Sequence, residues 1–257
     1  MRSLTIALFA FICLSAASQT TQTLVSKVYA WDKSPVRNTR TGTSRKIFSG
    51  SGAILSQHEI NGVTLLKNKT ITYEVEPTGK ELFFVVKQGP LTVHLNGQTS
   101  VLGRGSIIVI LPGDNVSLEN ASQSTVEFYE MIYHSIATPD KERGTKAGPS
   151  FVMNWNDMVF KPTEKGGVRQ SFDRQTEMLN RFDIHVTQLN TGFKSHDPHT
   201  HKNEEIILML EGNAEMQIGE DHQKANPGDV VLLNSNVLHN LTNIGTTNCL
   251  YFAIQWN

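Results

Sequence analysis

An internal repeat constrains the fold of this chain more than any other feature of its sequence. When the sequence is shifted so that Val28 lies over Val152, the segment Val28–Trp31 falls on Val152–Trp155. After a one-residue gap, Gly105 falls on Gly228. Solenoid repeats have much shorter periods, of about 20–50 residues. The period instead matches the length of a small domain, so the sequence predicts two domains of one fold.

Each copy has the sequence pattern of an all-β domain. Short runs rich in β-branched and aromatic residues, such as Leu82–Val86 and Ser106–Leu111, are separated by Gly, Pro and Asn turn signals. Runs of this length and spacing are typical of a β-sandwich or barrel. We predict an N-terminal domain over residues 19–135, a polar connector over residues 136–151 and a C-terminal domain over residues 152–257.

The N-terminus has the composition of a secretory signal peptide. Arg2 precedes an apolar stretch, Leu4–Leu14, and small residues follow at Ser15–Ser18. The apolar stretch is shorter than the ~18–20 residues of a membrane span, so a permanent anchor is the weaker interpretation. We predict cleavage of residues 1–18 and a periplasmic or secreted protein without membrane contact after cleavage. Cys249 would then be the single cysteine, so no internal disulfide is expected.

The charge balance of the chain argues against two classes of partner. The 23 Lys and Arg residues are offset by 24 Asp and Glu residues, for a net charge of -1. A near-neutral chain has no basic footprint for nucleic acid, and no basic run marks a membrane-binding surface. We therefore expect a small-molecule partner.

A cluster of histidines in the second copy predicts a metal site. His199 and His201 are two residues apart, so their side chains point to one face of an extended strand. Glu205 follows in the same segment, and His239 comes from a later one. Three imidazole nitrogens and one carboxylate oxygen suit one divalent Mn, Fe, Ni, Co or Zn ion, and ligand type alone does not choose among them. The competing interpretation is a polar surface strand.

Neighbouring side chains in the second copy have weaker assignments. Four are candidates to face the barrel interior: His185, Gln217, Tyr251 and Gln255. Two are expected to form its apolar wall by strand parity: Ile207 and Met209. His196 is expected at the rim because an extended or turn geometry is imposed by the following Asp-Pro, and His222 in solvent. Asn243 is interpreted as a turn residue.

At these positions the sequence resembles the cupin superfamily. The first cupin motif is matched by Gly192, His199, His201, Glu205 and Gly212, and the second by Pro227, Gly228, His239 and Asn243. The resemblance implies a bicupin, with two jelly-roll β-barrels in tandem. It also implies that His199, His201, Glu205 and His239 bind the metal in the second barrel.

The first copy departs from the cupin pattern. The positions opposite the four ligands hold Glu76, Thr78, Leu82 and Val116 in one alignment, or Val75, Pro77, Glu81 and Asn115 when the gap is moved. Neither alignment supplies a histidine, so the first barrel is expected to be metal-free. Glu81 is a candidate remnant of the ligand carboxylate.

The resemblance and the ligand set favour an exported metal-dependent enzyme that acts on a small oxygen-rich molecule. Within the cupins this covers dioxygenase, isomerase or lyase, and aminohydrolase chemistry. The alternative is a non-catalytic protein that binds a sugar or another small molecule through the metal. A structural or storage role is disfavoured by the complete ligand set. Both a monomer and a homodimer are compatible with the sequence.

Overall fold

The computed structural model describes residues 22–257. The predicted signal peptide, residues 1–18, lies outside the described residues. Eleven strands precede the connector: β1 (Lys27–Tyr29), β2 (Val36–Asn38), β3 (Gly42–Gly50), β4 (Leu55–Leu65), β5 (Thr70–Glu74), β6 (Glu81–Gln88), β7 (Leu91–Leu95), β8 (Gln98–Leu102), β9 (Ile107–Ile110), β10 (Asn115–Glu119) and β11 (Val126–Ser135).

One short helix, α1 (Lys141–Ala147), lies in the connector, and its N-cap Asp140 accepts a hydrogen bond from the Arg143 amide. Within residues 22–257, no helix is long and apolar enough to cross a membrane. Ten strands and a 3-10 turn (Trp155–Asp157) follow: β12 (Phe151–Met153), β13 (Phe160–Thr163), β14 (Gly166–Arg174), β15 (Phe182–Leu189), β16 (Glu204–Glu211), β17 (Ala214–Ile218), β18 (Asp221–Ala225), β19 (Val230–Leu233), β20 (His239–Asn243) and β21 (Cys249–Trp256).

These strands form two jelly-roll barrels, which confirms the predicted all-β fold. In the first barrel a seven-stranded sheet (β12-β9-β6-β11-β4-β3-β2) faces a four-stranded sheet (β5-β10-β7-β8). In the second, a seven-stranded sheet (β1-β19-β16-β21-β15-β14-β13) faces a three-stranded sheet (β18-β17-β20). Each barrel encloses its own apolar core, and a third and larger core lies between the two seven-stranded sheets.

The two barrels exchange edge strands. β1 comes from the start of the chain but pairs with β19 of the second barrel, with Lys27 opposite Leu232. β12 follows the connector but pairs with β9 of the first barrel, with Phe151 opposite Val109. The division into residues 19–135 and 152–257 stays a prediction, and the strand pairing adds that each sheet is completed by a segment from the other half.

Two buried carboxylates occupy equivalent places at the barrel interface. Glu81, the first residue of β6, accepts hydrogen bonds from Thr176 Oγ1 (2.7 Å) and the Met178 amide (3.1 Å). Glu204, the first residue of β16, accepts them from the Ala53 amide (2.9 Å) and Trp256 Nε1 (3.0 Å). Glu81 is therefore the counterpart of Glu204. The interpretation of Glu81 as a remnant of the Glu205 ligand is wrong.

Candidate metal centre

Three chain segments bring the predicted ligands to the mouth of the second barrel. Glu205 is the second residue of β16 and His239 the first residue of β20. His199 lies on the approach to β16 and forms an antiparallel bridge with His239, in which the His239 amide donates to the His199 carbonyl at 3.0 Å. His201 follows two residues later. Backbone pairing between distant segments therefore sets the spacing of the histidines.

Glu205 lies at the centre of this group. Its Oε2 atom is 3.3 Å from His201 Nε2 and 3.3 Å from His239 Nε2. The ring of His199 has its centroid 4.7 Å from that of His239 and 5.4 Å from that of His201. The donor atoms of His201, Glu205 and His239 all lie within 4.8 Å of one another, and His239 is shared with a second such group that contains His199.

The hydrogen bonds of two imidazoles determine which nitrogen is free. His201 Nδ1 donates to the Asn203 carbonyl at 2.9 Å, and His239 Nδ1 donates to the Val237 carbonyl at 2.8 Å. A carbonyl only accepts, so in the neutral ring the proton is on Nδ1 and the Nε2 lone pair is bare. Both Nε2 atoms are buried, and within residues 22–257 neither has a hydrogen-bond partner. This is the arrangement of metal-binding histidines, in which the distal N–H is held by an acceptor.

A chain of amides orients the carboxylate. Gln255 Nε2 donates to Glu205 Oε1 at 3.2 Å, which leaves Oε2 facing the imidazoles. Gln255 Oε1 in turn accepts from Asn203 Nδ2 at 3.2 Å, and Asn203 Oδ1 accepts from Asn257 Nδ2 at 2.8 Å. Asn203 thus contacts both sides of the site, through its carbonyl to His201 and through its side chain to Gln255.

The electrostatics of the site favour a cation. Burial by itself would raise the pKa of Glu205, but the imidazoles of His201 and His239 beside it lower it to about 2. The neighbouring Glu205 carboxylate raises the pKa of His201, whereas burial lowers that of His199. A buried carboxylate among imidazoles needs positive charge, which a divalent ion supplies in place of protons. The residues present therefore fit the implied metal.

His196 lies closer to the site than the sequence analysis suggested. Its ring centroid is 4.1 Å from that of His199, and donor atoms of His196, His199 and His239 lie within 4.8 Å of one another. His196 and His199 are both exposed, in contrast to His239. The residue lies at the rim, as predicted, and within reach of the histidine cluster.

The site opens into a cavity of about 530 Å³. Of the predicted interior residues, His185, Tyr251, Gln255 and Ile207 line this cavity. Gln217 does not line it, and its amide donates to the Gly219 carbonyl at 3.2 Å. Met209 lies in the apolar core of the barrel instead, and His222 contacts Glu215 at 3.1 Å on the exposed hairpin. Lining residues that the sequence analysis missed include Thr187, Ser195 and Lys165.

Asn243 has the structural role predicted for it. Its Nδ2 atom donates to the carbonyls of Leu189 (2.8 Å) and Thr247 (2.9 Å), and its Oδ1 atom accepts from the Gly245 amide (2.9 Å). Asn120 makes the matching bonds in the first barrel, to the carbonyls of Leu65 and Ser124. The repeated asparagine closes the same turn in both copies.

The first barrel holds none of the four ligand types at the equivalent places. Val116 is the counterpart of His239, because Val116 pairs with Leu95 at the place where His239 pairs with Ile218. Leu82 is likewise the counterpart of Glu205, because Leu82 pairs with Ile110 at the place where Glu205 pairs with Leu233. These pairings agree with the first of the two sequence alignments. His199, however, lies opposite His239, and the residue that lies opposite Val116 in the first barrel is Tyr73. Tyr73 is therefore the counterpart of His199. Neither Glu76 nor Val75 is therefore the counterpart of His199.

Comparison with known proteins identifies the fold family. Residues 185–255 match the family model that describes the cupin domain. The second barrel is therefore similar to cupin domains over these residues, and the prediction of two jelly-roll barrels in tandem is confirmed at the level of the fold. No curated protein matches the sequence at a significant level.

Solved structures similar to the whole chain have low sequence identity to it. The chain resembles the oxalate decarboxylase of Lactobacillus farciminis, solved as a formate complex, with a TM-score of 0.69, 14% identity and coverage of 93% of this chain and 88% of the other. It also resembles a cupin 2 conserved barrel domain protein of Leptotrichia buccalis, with a TM-score of 0.60, 15% identity and coverage of 93% of this chain and 100% of the other. A vicilin from hazelnut, Corylus avellana, is similar with a TM-score of 0.66, 10% identity and coverage of 90% of this chain and 85% of the other. These structures carry different names and share little sequence identity with this chain, so the similarity establishes the fold and not the activity.

Proposed function

We propose that the second barrel binds one divalent transition metal through His199, His201, Glu205 and His239, and that the chain is an enzyme acting on a small oxygen-rich molecule. The observation that carries the proposal is the pair of buried Nε2 atoms that have no hydrogen-bond partner among the described residues and both lie 3.3 Å from one carboxylate oxygen. When bound, such a metal would supply Lewis-acid chemistry or lower the pKa of a bound water.

The cavity wall offers groups that suit a hydroxy- or keto-acid. Thr187, Ser195 and Tyr251 place hydroxyls around the space in front of Glu205. Burial raises the pKa of Tyr251 well above its usual value, so its hydroxyl stays protonated and acts as a donor. Lys165, on the hairpin between β13 and β14, lies at the mouth, where its ammonium donates to the Ser195 carbonyl at 3.2 Å. An anionic substrate would be drawn past this cation.

His185 is the candidate for proton transfer. Its imidazole lines the cavity but lies on β15, away from the histidine cluster. A side chain that both accepts and donates protons at the wall of a metal cavity is a common general acid or base. The proposed class of reaction is therefore proton-coupled chemistry on a carboxylic acid. It includes dioxygenase, isomerase or lyase, and aminohydrolase types.

Turnover tests this proposal directly. Protein loaded separately with Mn, Fe, Ni, Co or Zn would be incubated with oxalate, glyoxylate and small hydroxy-acids, and products followed by proton NMR. We expect turnover with at least one metal, loss of turnover in His239→Ala, and normal turnover in the matched control His222→Ala. Binding without any product would favour the non-catalytic alternative, and turnover that survives in His239→Ala would contradict the metal site.

Export is part of the proposal, because residues 1–18 have the order of charge, apolar stretch and small residues that a signal peptide requires. Fractionation of the native host cells would place the protein outside the cytoplasmic membrane. Protein found with its full N-terminus in the cytoplasm would contradict this part without affecting the metal site.

A further inference from the structure

The first barrel has a cavity at the same place as the metal cavity of the second. It measures about 400 Å³ and opens at the mouth of the barrel. Strands β3, β4, β5 and β11 contribute to its wall, as β14, β15 and β21 do in the second barrel. A volume of this size lies within the range of small-molecule sites.

Strand register shows which residues replace the functional groups of the second barrel. Asn61 on β4 pairs with Glu130 on β11. This pair is equivalent to the pair of His185 on β15 and Ala253 on β21 in the second barrel. Tyr73 takes the place of His199, as described above. At these places the first barrel has polar residues in place of the predicted metal ligands: Tyr73 and Glu130 line its cavity, and Asn61 donates a hydrogen bond to Glu130.

Glu130 is buried in the wall of this cavity. Only 7% of the residue is exposed, and its Oε2 atom accepts a hydrogen bond from Asn61 Nδ2 at 2.8 Å. The Tyr73 hydroxyl also interacts with it, and the charge of Arg37 acts from the rim. Burying a carboxyl group in a barrel core is costly, and an apolar side chain would have filled the space. The position is better explained by a ligand.

The rim of the cavity is cationic and rich in hydroxyl groups. Two guanidinium groups line it, those of Arg37 and Arg40. Six hydroxyl side chains share the wall: Thr39, Thr41, Thr43, Ser44, Thr70 and Thr72. Arginine forks bind carboxylates through paired hydrogen bonds. A carboxylate at the rim and hydroxyls toward the base would match this distribution of charge.

We propose that the first barrel binds a small hydroxylated carboxylate of the sugar-acid class, without a metal. Arg37 and Arg40 would hold the ligand carboxylate, while Glu130 and Tyr73 would bind its hydroxyls. Val116 and Leu82 stand at the places of His239 and Glu205, the proposed metal ligands of the second barrel, so the first barrel would bind its ligand without a metal. This site is independent of the function proposed for the second barrel.

Calorimetry with D-gluconate as the probe tests the proposal on the full chain. We expect metal-stripped protein to bind D-gluconate, because the first barrel uses no metal and the hydroxy-acid site proposed for the second barrel requires one. Succinate has carboxylates but no hydroxyls, and D-glucose has hydroxyls but no carboxylate. Both control compounds should bind at least about tenfold more weakly than D-gluconate. Absence of gluconate binding, or equal affinity for either control compound, would overturn the assigned ligand class.

Two sets of variants place the binding in this cavity. Arg37→Gln combined with Arg40→Gln changes only exposed side chains and should weaken gluconate binding by roughly tenfold or more. The matched control Lys80→Gln with Lys141→Gln removes two exposed charges elsewhere and should bind normally. Glu130→Gln keeps the shape of the base and should also weaken binding, while metal content stays at the wild-type level. Unchanged affinity in the arginine variant would overturn the site whatever the second barrel does.

Discussion

At the residue scale, the histidine cluster depends on groups that hold the ligands in place. His201 and His239 are fixed by backbone carbonyls, and Glu205 by the amide of Gln255. The sequence identified the four ligands because His and Glu side chains are recognisable at a strand spacing. It did not identify the carbonyls of Asn203 and Val237, because a backbone acceptor has no side-chain signature.

Replacing Gln255 tests the importance of this support. Gln255→Ala removes the donor to Glu205 Oε1 and frees the carboxylate to rotate, so metal affinity should fall roughly 10- to 100-fold. Gln217→Ala is the matched control, because that amide bonds to the Gly219 carbonyl outside the cavity. Competition with a fluorescent chelator measures both affinities. Equal affinity in Gln255→Ala and wild type would show that the amide chain does not orient the ligand.

At the element scale, the N-terminal segment that contains β1 contacts both barrels. β1 extends the large sheet of the second barrel, and the Trp31 amide donates to Asp229 Oδ1 at 2.8 Å. The Trp31 ring then packs against Gly62 of the first barrel and Gly228 of the second. Trp155 packs on Gly105 in the symmetric position. The absence of a side chain at these glycines allows the rings to approach the sheets.

A double-mutant cycle measures this contact. A Cβ atom at position 62 would lie 2.3 Å from Trp31 Cη2, so Gly62→Ala should lower the free energy of unfolding by roughly 1–3 kcal/mol. In a Trp31→Ala background the same substitution should cost much less, because the clashing ring is gone. Urea denaturation gives all four stabilities. Additive effects of the two substitutions would mean that the ring does not rest on Gly62.

The sequence predicted most of this level of structure and missed its long-range part. Short runs rich in β-branched and aromatic residues predicted the strands, and the matched Trp31 and Trp155 predicted two equivalent domains. Exchange of β1 and β12 was not predicted, since pairing between residues about 200 positions apart for β1, and more than 40 apart for β12, leaves no local pattern. Lys194 and His199 both pair with β20, and the stretch between them is two residues longer than the matching stretch of β5 in the first copy. Because of this insertion, the sequence alignment placed the counterpart of His199 wrongly.

At the scale of the whole molecule, the two barrels are joined by an apolar core between their large sheets. His58 lies within this interface, 1% exposed, with its ring centroid 4.9 Å from that of Phe48 and 5.0 Å from that of Trp256. Its Nε2 atom is buried and has no hydrogen-bond partner in the part of the chain that the structure describes. Burial lowers the pKa of His58 to about 3, so the imidazole stays neutral in the folded protein.

The buried imidazole makes stability depend on pH. Between the folded pKa and the unfolded value of about 6.5, the unfolded chain binds a proton that the folded one does not, so stability falls as pH falls through this range. The contribution of His58 to the free energy of unfolding should be about 2 kcal/mol less favourable at pH 5 than at pH 7. His58→Phe should remove this difference. Identical pH profiles for wild type and His58→Phe, measured by urea denaturation, would contradict the account.

The central claim is that four side chains of the second barrel bind one metal ion. Elemental analysis of natively purified protein tests it most directly. We predict about one equivalent of a divalent transition metal per chain in wild type and in His222→Ala, and only a small residual fraction in correctly folded His239→Ala. Wild-type protein that takes up no such metal, or His239→Ala that retains a full equivalent, would contradict the claim.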